Sequence, residues 1–340
     1  MRVSRGAAIQ LVLLALVAGG ITTAVALFPR WLPLEASKQA HRIDFVIWYV
    51  TIICIVIYAI VVGLLSYSVL HFRAAPDDES DGPPTHGSTR LEFAWTAIPF
   101  LIVTSIAIVC AIVLARNDSA GATPLHVDVT AQQFAWSFKY PESNSVTSTT
   151  LRLPVGRTTV LDMTSLDVIH AFFVPEFRQN EDVVPGTTTH LVVTPTRIGT
   201  YPLICNELCG LGHTTMRSTV VVMSQADFDT WVKSQGKATA TGGATGGKAV
   251  FVNNGCIACH TLKAAGATGK IGPDLDNLPS YAAHFHQPLD VFIRTQVTHP
   301  DTFHQPGFPT GVMPHTFAAL PKAQLDALIQ FLIASSKGGK

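Results

Sequence analysis

Charge is what this sequence has least of. Only 14% of its 340 residues are Asp, Glu, Lys or Arg, against 48% hydrophobic, a balance foreign to ordinary soluble globules. The 23 acidic and 23 basic residues cancel to a formal net charge of zero. No basic excess is present to draw nucleic acid, and none is expected as a partner. No internal repeat is evident, so the chain is not a repeat array. Cysteine is also sparse, with six residues, few enough that each can be placed.

The missing charge is concentrated in three apolar runs without a single ionisable carboxylate, Lys or Arg: residues 7–28, 45–70 and 93–115, of 22, 26 and 23 residues. Each can cross a hydrocarbon core of roughly 30 Å, which takes about 20 helical residues. A soluble core helix rarely stays apolar on every face for so long, so the second and third runs read as a two-helix transmembrane hairpin over 41–116. The first run has two readings. Arg2 and Arg5 precede it and Ala24-Val25-Ala26 offers small residues for cleavage, so residues 1–28 are either a signal peptide or an additional transmembrane helix. Both readings place 71–92 inside and everything after Arg116 outside. The inner loop carries only Arg73 and Arg90 against Asp77, Asp78, Glu79, Asp81 and Glu92, a poor guide under the positive-inside rule.

Past the last apolar run the period changes to two. Residues 125–129, 134–140, 188–193 and 217–223 alternate, with Pro or Gly at Pro141, Pro154, Gly156, Pro185, Gly186 and Pro195. Short strands at this spacing predict a β-sandwich or barrel over 117–233. Ser224-Gln225-Ala226-Asp227 reads as a capping sequence opening a short helix through Trp231. Residues 234–247, rich in Gly, Ala and Thr, read as a flexible linker of roughly 20 Å r.m.s. reach. From 248 to 340 the pattern turns helical, with Leu325, Leu328, Ile329, Leu332 and Ile333 at helix spacing behind Pro321.

Cys54 and Cys110 lie inside apolar runs and read as buried small residues. The other four cysteines form two motifs. Cys205-Asn-Glu-Leu-Cys209-Gly-Leu-Gly-His213-Thr-Thr-Met216 places four soft or borderline metal ligands within twelve residues, and His170 stands 35 residues upstream of Cys205. Thiolate and thioether select copper(I), and imidazole suits either copper oxidation state. A disulfide would account for the cysteine pair but not for His and Met at fixed offsets. A zinc site could close on Cys205, Cys209, His213 and His170, yet Met is a poor zinc ligand.

This grouping resembles the dinuclear copper A site of cytochrome c oxidase subunit II. Gly199-Thr200-Tyr201, Asp167-Val168-Ile169-His170 with Val174-Pro175, and Leu91-Glu92-Phe93-Ala94-Trp95-Thr96-Ala97-Ile98-Pro99 are similar to that family's stretches. The resemblance covers nearly the whole chain after about residue 40. It implies a cupredoxin-like domain in which Cys205 and Cys209 bridge two coppers, His170 and His213 cap them, and Met216 and the Glu207 carbonyl complete the ligation. It further implies that the Glu207 carboxylate meets a magnesium ion at the subunit I boundary and that Glu92 sits at the inner mouth of a proton channel. The residue-level alternative for Glu92 is a carboxylate favoured by the helix N-terminus. Trp136 keeps a family tryptophan and is an electron-transfer candidate. Phe134 stands where the family usually has Trp, the usual arrival point of electrons from soluble cytochrome c, and Asn180 where Lys is common.

The second motif, Cys256-Ile-Ala-Cys259-His260, is a c-type haem attachment signature: two thioethers and a proximal His260. Gly311-Val312-Met313-Pro314 and Gly272-Pro273-Asp274-Leu275 resemble loops of small class I cytochromes c, which implies Met313 as second axial ligand; such a Met/His pair raises the iron potential. The other reading of Met313 is a core methionine. His284, His286, His299, His304 and His315 read as scattered surface residues. Haem attachment in such cytochromes is an export-side process, which fixes the orientation.

The expected architecture is therefore a multidomain membrane protein: a transmembrane helix hairpin, a cupredoxin-like β-sandwich or barrel, and an all-α cytochrome c domain, in the cell membrane with copper and haem on the exported face. Residues 117–233 carry 7 basic and 11 acidic residues, a net of −4, and residues 248–340 carry 7 basic and 5 acidic, a net of +2; opposite signs favour docking. The expected function is passage of electrons from the chain's own haem c to copper A and on to subunit I, where oxygen is reduced and protons are pumped. Expected partners are subunits I and III, an upstream cytochrome c or quinol–cytochrome c reductase, and membrane lipid. The alternatives are the copper A subunit of a nitric oxide reductase, or a membrane-anchored redox carrier without catalytic partner.

Overall fold

The computed structural model describes residues 4–73, 87–143, 145–238, 244–308 and 310–337. Arg2 and the acidic stretch Asp77, Asp78, Glu79 and Asp81 of the inner loop lie outside the described residues. The chain divides into two compact units, Met1–Leu34 with His41–Arg116, and Glu35–Ala40 with Asn117–Lys340.

The first unit is built of α1 (Arg5–Leu27), α2 (Lys38–His71) and α3 (Thr89–Asn117), each long and apolar enough to cross a membrane. Ser4 caps α1, accepting the Ala7 N–H at 3.1 Å. Where α1 meets α2 the contact is made of small residues. A Cβ on Gly63 would sit 3.0 Å from the Ala15 nitrogen, and one on Gly19 would sit 3.2 Å from the Ala59 methyl. Such residues let helix backbones approach closely in a medium that offers no hydrophobic drive. Tyr49 and Ser105 share a 2.8 Å hydrogen bond between α2 and α3, and the Arg42 guanidinium donates to the Arg116 carbonyl at 2.8 Å.

In the second unit, ten strands form two five-stranded sheets. They are β1 (Leu125–Gln132), β2 (Ala135–Tyr140), β3 (Val146–Ser148), β4 (Leu151–Pro154), β5 (Thr159–Ser165), β6 (His170–Val174), β7 (Gln179–Val183), β8 (Thr189–Val193), β9 (Gly199–Cys205) and β10 (Arg217–Met223). The sheet orders are β3-β2-β1-β5-β8 and β4-β10-β9-β6-β7. Alternate residues of β1 (Leu125, Val127, Val129, Ala131) point into the core with Phe138, Leu161 and Phe172, all essentially inaccessible to solvent, as period-two patterning requires. The sandwich also takes in residues before the transmembrane hairpin. Ala36 donates to the Glu176 carbonyl at 3.0 Å and accepts from Thr196 at 2.8 Å, and Gln39 accepts the Thr194 N–H at 2.9 Å.

Sequence patterning placed a flexible linker at 234–247, and helix enters it from both ends. Helix α4 (Gln225–Ala238), capped by Ser224, which accepts the Asp227 N–H at 3.1 Å, continues beyond the expected end at Trp231. Helix α5 (Ala244–Asn253) begins before 248, and residues 239–243 lie outside the described residues. Gly247 belongs to a helix–helix contact: a Cβ there would collide with the Ala327 carbonyl. Gly247 is needed for close approach, a role that composition alone does not separate from flexibility.

The remaining elements are α6 (Cys256–Cys259), the two-residue strands β11 (Thr261–Leu262) and β12 (Ala267–Thr268), α7 (Leu278–His284), α8 (Leu289–Thr298) and α9 (Lys322–Lys337). Phe251, Phe292, Phe317, Leu328 and Leu332 form the core of this helical part.

Candidate metal centre and haem crevice

The strand register brings the metal-ligand candidates together. Strands β6 and β9 pair antiparallel with Phe172 opposite Cys205, which sets His170 and Cys205 at the same end of the sandwich. The β9–β10 loop then folds back: the Cys205 N–H donates to the Met216 carbonyl at 3.1 Å, and the Asn206 N–H donates to Ala171 at 3.1 Å. The two cysteine sulfurs lie 3.8 Å apart, far beyond the roughly 2.0 Å of a disulfide. His170 Nδ1 is 3.8 Å from Cys205 Sγ, His213 Nδ1 is 3.5 Å from Cys209 Sγ, and Met216 Sδ is 3.8 Å from Cys209 Sγ. The Glu207 carbonyl oxygen stands 3.3 Å from Cys205 Sγ, while the residue itself is exposed. Cys205, Cys209, Met216 and His170 are buried.

Asp167, unassigned by sequence reasoning, organises this cluster. Its Oδ1 lies 2.8 Å from His170 Nε2 and accepts the Val168 N–H at 2.7 Å, while Oδ2 accepts the Gln133 N–H at 2.7 Å. The imidazole is thereby turned with Nδ1 toward the sulfurs, the kind of outer support metal-binding histidines commonly have. Burial is the largest single influence and opposes charge on both residues, but the other interactions together outweigh it: hydrogen bonds from His170, Gln133 and Val168 lower Asp167, and hydrogen bonds to Asp167 and Cys205 raise His170.

The thiols differ. Burial disfavours the Cys205 thiolate, yet His170 and the backbone of Ala171 and Glu207 bring its pKa down to about 7. Burial and the neighbouring Cys205 thiolate push Cys209 up to about 12. Two thiolates this close repel each other, so a bound metal's positive charge would be what holds both deprotonated. Two thiolates, two imidazoles, a thioether and a carbonyl, converging without a bond between the sulfurs, fit copper by the softness of the donors.

The other motif lines an apolar crevice. Cys256, Cys259, His260 and Met313 all face it. His260 Nδ1 donates to the Pro273 carbonyl at 2.8 Å, leaving Nε2 as the free ligand atom. Burial lowers the imidazole pKa, which keeps that lone pair available. A Cβ on Gly272 would sit 2.5 Å from His260 Cε1, so only glycine lets this loop lie on the ring. Burial pushes Cys256 up to about 12 and Cys259 up to about 11. This donor set in an apolar wall fits a covalent haem.

The tip of the β1–β2 hairpin joins the two sites. Gln133 Nε2 donates to the Cys209 carbonyl at 2.6 Å, and Phe134 lies against the copper loop so closely that a Cβ on Gly212 would fall within its ring. Gln133, Phe134 and Ala135 also line the crevice. Cys259 and Val312 pack against the sandwich core, and Gln132 Nε2 donates to the Asn254 carbonyl at 3.3 Å. Trp136 is buried behind the metal cluster, edge-on to His170 and Phe172 at 6.2 and 5.8 Å between ring centroids. Glu92 is exposed in the first turn of α3 and accepts the Thr96 hydroxyl at its carbonyl.

A β-sandwich with a copper-type donor set, tied to membrane helices and a cytochrome-type domain, defines a membrane-bound electron-transfer subunit. Sequence profiles agree along the chain: the cytochrome c oxidase subunit II transmembrane domain matches 23–112, its periplasmic domain 143–224, and cytochrome c 244–335. The cytochrome c oxidase subunit 2 of Synechocystis sp. is 32% identical over 254 residues, covering 61% of this chain and 76% of the relative. That of Thermostichus vulcanus is 34% identical over 263 residues, covering 62% and 80%. That of Alkalihalophilus pseudofirmus is 28% identical over 299 residues, covering 83% and 84%. The chain belongs to the cytochrome c oxidase subunit 2 family, with a C-terminal cytochrome c domain. It is a membrane subunit of an oxidase complex, works with the other oxidase subunits, carries copper A and haem, and exports both domains.

Proposed function

We propose that this chain delivers electrons, one at a time, from a haem c seated at Cys256, Cys259, His260 and Met313 to two coppers held by His170, Cys205, Cys209, His213, Met216 and the Glu207 carbonyl, and from there to subunit I. The bound groups supply the one-electron redox chemistry. The protein supplies proximity, an apolar surround and a fixed orientation. The observation that carries the reading is Phe134, whose ring belongs at once to the crevice wall and to the surface of the copper loop. An aromatic residue there gives a contact route between the motifs. Trp136, behind His170, serves as an inner aromatic support on the copper side.

Around this core, the exposed Glu207 carboxylate is the proposed magnesium ligand facing subunit I, and Glu92 the proposed mouth of a proton path. An upstream cytochrome c or quinol–cytochrome c reductase is the proposed donor to the haem, with subunit III and lipid completing the surroundings. The proposed domain limits are those read from the sequence, with residues 35–40 added to the sandwich, the join at 234–247 narrowed by α4 and α5, and helix α1 retained as a third span. The small-residue contact of Ala15 with Gly63 supports that retention. The nitric oxide reductase and partnerless-carrier alternatives are not favoured, since the relatives found are oxidase subunits.

The test is Phe134→Ala in the purified complex. Haem and copper content should stay whole, while the flash-induced transfer from haem c to copper slows about tenfold or more, since small losses of alignment cost large factors in rate. An unchanged rate would remove Phe134 from the route.

A further inference from the structure

One carboxylate, Asp301, spans the loop that carries Met313. Its Oδ1 accepts the Gly311 N–H at 2.9 Å, two residues before Met313, and its Oδ2 lies 2.9 Å from His315 Nε2, two residues after it. Asp301 itself stands just beyond the end of α8 and lines the crevice. Its side of the loop is fixed independently. Gln296 of α8 donates to the Phe303 carbonyl, and the Phe303 ring stacks on Phe292 of α8 at 5.5 Å. The Asp301 carboxylate therefore links a rigid base to both flanks of a half-buried methionine.

The residues it holds suit a clamp. Gly311 has φ +71°, a left-handed conformation that other residues adopt only with strain. Pro314 follows Met313 and opens a short 3-10 turn over His315–Ala319, so the backbone is stiff on that flank. The Gly311 N–H first, and then His315, hold the Asp301 carboxyl below the usual carboxylate range, which keeps it an acceptor on both sides. Asp301 and His315 are 45% and 64% exposed, so these bonds contribute little to global stability. Their consequence is local: they restrict where the Met313 thioether can go.

We infer that Asp301 is a positioning residue for the proposed ligand methionine, holding the 311–315 loop from both flanks so that Met313 stays in the wall of the crevice it shares with His260. The inference rests on Met313 as the second haem ligand, proposed above. It concerns neither the attachment of the haem nor the fold of the domain, and it assigns Asp301 a role through Met313 and not through contact with the haem.

The experiment uses the intact oxidase complex and reads ligation directly. In Asp301→Ala, haem should remain covalently attached, by subunit mass, while the weak long-wavelength absorption band of methionine–iron ligation is diminished. Carbon monoxide binds reduced haem c only where the methionine has left; followed at haem c wavelengths, apart from binding at the oxygen site of subunit I, it should associate about tenfold faster, the size expected when a charge-assisted hydrogen bond discounted for exposure no longer holds the closed form. Asp301→Asn keeps an acceptor for Gly311 and gives up the charge facing His315, so its rate should lie between. Asp326→Ala, which breaks ion pairs to Arg294 and Lys322 elsewhere in the same domain, should change neither readout. Met313→Ala separates the two readings: a band that survives it overturns the ligand assignment and this inference together. A band lost in Met313→Ala but intact in Asp301→Ala, with an unchanged carbon monoxide rate, overturns the clamp alone. Should Asp301→Ala fail to load haem, Asp301→Asn decides, and a rate equal to that of the unsubstituted complex refutes the proposal.

Discussion

Gly255 presses its bare Cα against the methyl of Ala135, with no room for a Cβ between them. Gly255 is the residue before Cys256 and has φ +73°; Ala135 is the residue after Phe134. Two small side chains thus bring the start of the haem-attachment helix onto the tip of the hairpin that touches the copper loop. In the sequence, Gly255 looks like any turn glycine and Ala135 like an undistinguished strand residue. Their meaning lies in their contact.

Ala135→Leu should therefore separate the two sites without unfolding either domain. Haem and copper content should remain whole, and transfer from haem c to copper should slow about tenfold or more, since misplacement by about an ångström is costly in rate. Ala135 is the better position to change, because a substitution at Gly255 adds backbone strain. Transfer at the normal rate in Ala135→Leu would show that this contact does not set the distance.

The copper cluster makes a second prediction, through both its donors and their support. Cys205→Ser or Cys209→Ser should abolish the two-copper spectrum, because a hydroxyl is not a bridging soft anion. Met216→Leu should keep copper and shift its potential. Asp167→Ala should keep the fold but weaken copper binding by about 10–100-fold, the usual effect of removing the partner that orients a ligating histidine. The optical spectrum checks the cysteine variants, a redox titration checks Met216→Leu, and an equilibrium copper titration of the purified complex checks Asp167→Ala. A Cys209→Ser complex with a normal two-copper signal would refute the ligand set.

Glu92 is exposed in the first turn of α3. Replacing it with Gln should slow proton-coupled turnover while copper and haem content hold. Steady-state turnover unchanged across the pH range would leave Glu92 as a helix-end carboxylate near the positive end of the dipole.

Helix α1 supports a prediction about the mature subunit. Its Ala15 lies against Gly63 and its Gln10 Oε1 lies 2.9 Å from His71 Nε2, contacts of use only if the helix stays. Intact-mass analysis of the purified subunit should find residues 7–28 present. A mature mass that starts after Ala26 would mean that these contacts are not kept in the complex.

How much of this was legible in the sequence varies with the reach of the interaction. The membrane helices and the strands were readable because period and length are local properties: 93–115 lies within α3, and residues 217–223 are β10 as printed by their alternation. Both metal-ligand motifs were readable because most of their members sit on one short loop, with the resemblance supplying the distant His170 and Met313. Asp167 was visible only as a neighbour of His170, since its second bond runs to Gln133, 34 residues away. Asp301 left no signal, because its partners are ten and fourteen residues further on, one of them the glycine that opens the Met313 loop, and no local pattern links a carboxylate to them. The linker expectation at 234–247 overstated flexibility, because Gly247 is read by composition as freedom and used by the fold as clearance beside Ala327.

The central claim is that the chain's own haem is the working entrance to its copper site. The most direct measurement compares the intact complex with one whose subunit ends after Lys233. In the intact complex, pre-reduced haem c should oxidise on mixing with oxygen at a rate independent of protein concentration. The shortened complex should stay copper-loaded yet accept electrons poorly from soluble cytochrome c, because on the proposed reading the haem domain is the donor and Phe134 its point of contact with the copper loop. Oxidation of soluble cytochrome c by the shortened complex as fast as by the intact one would contradict the account.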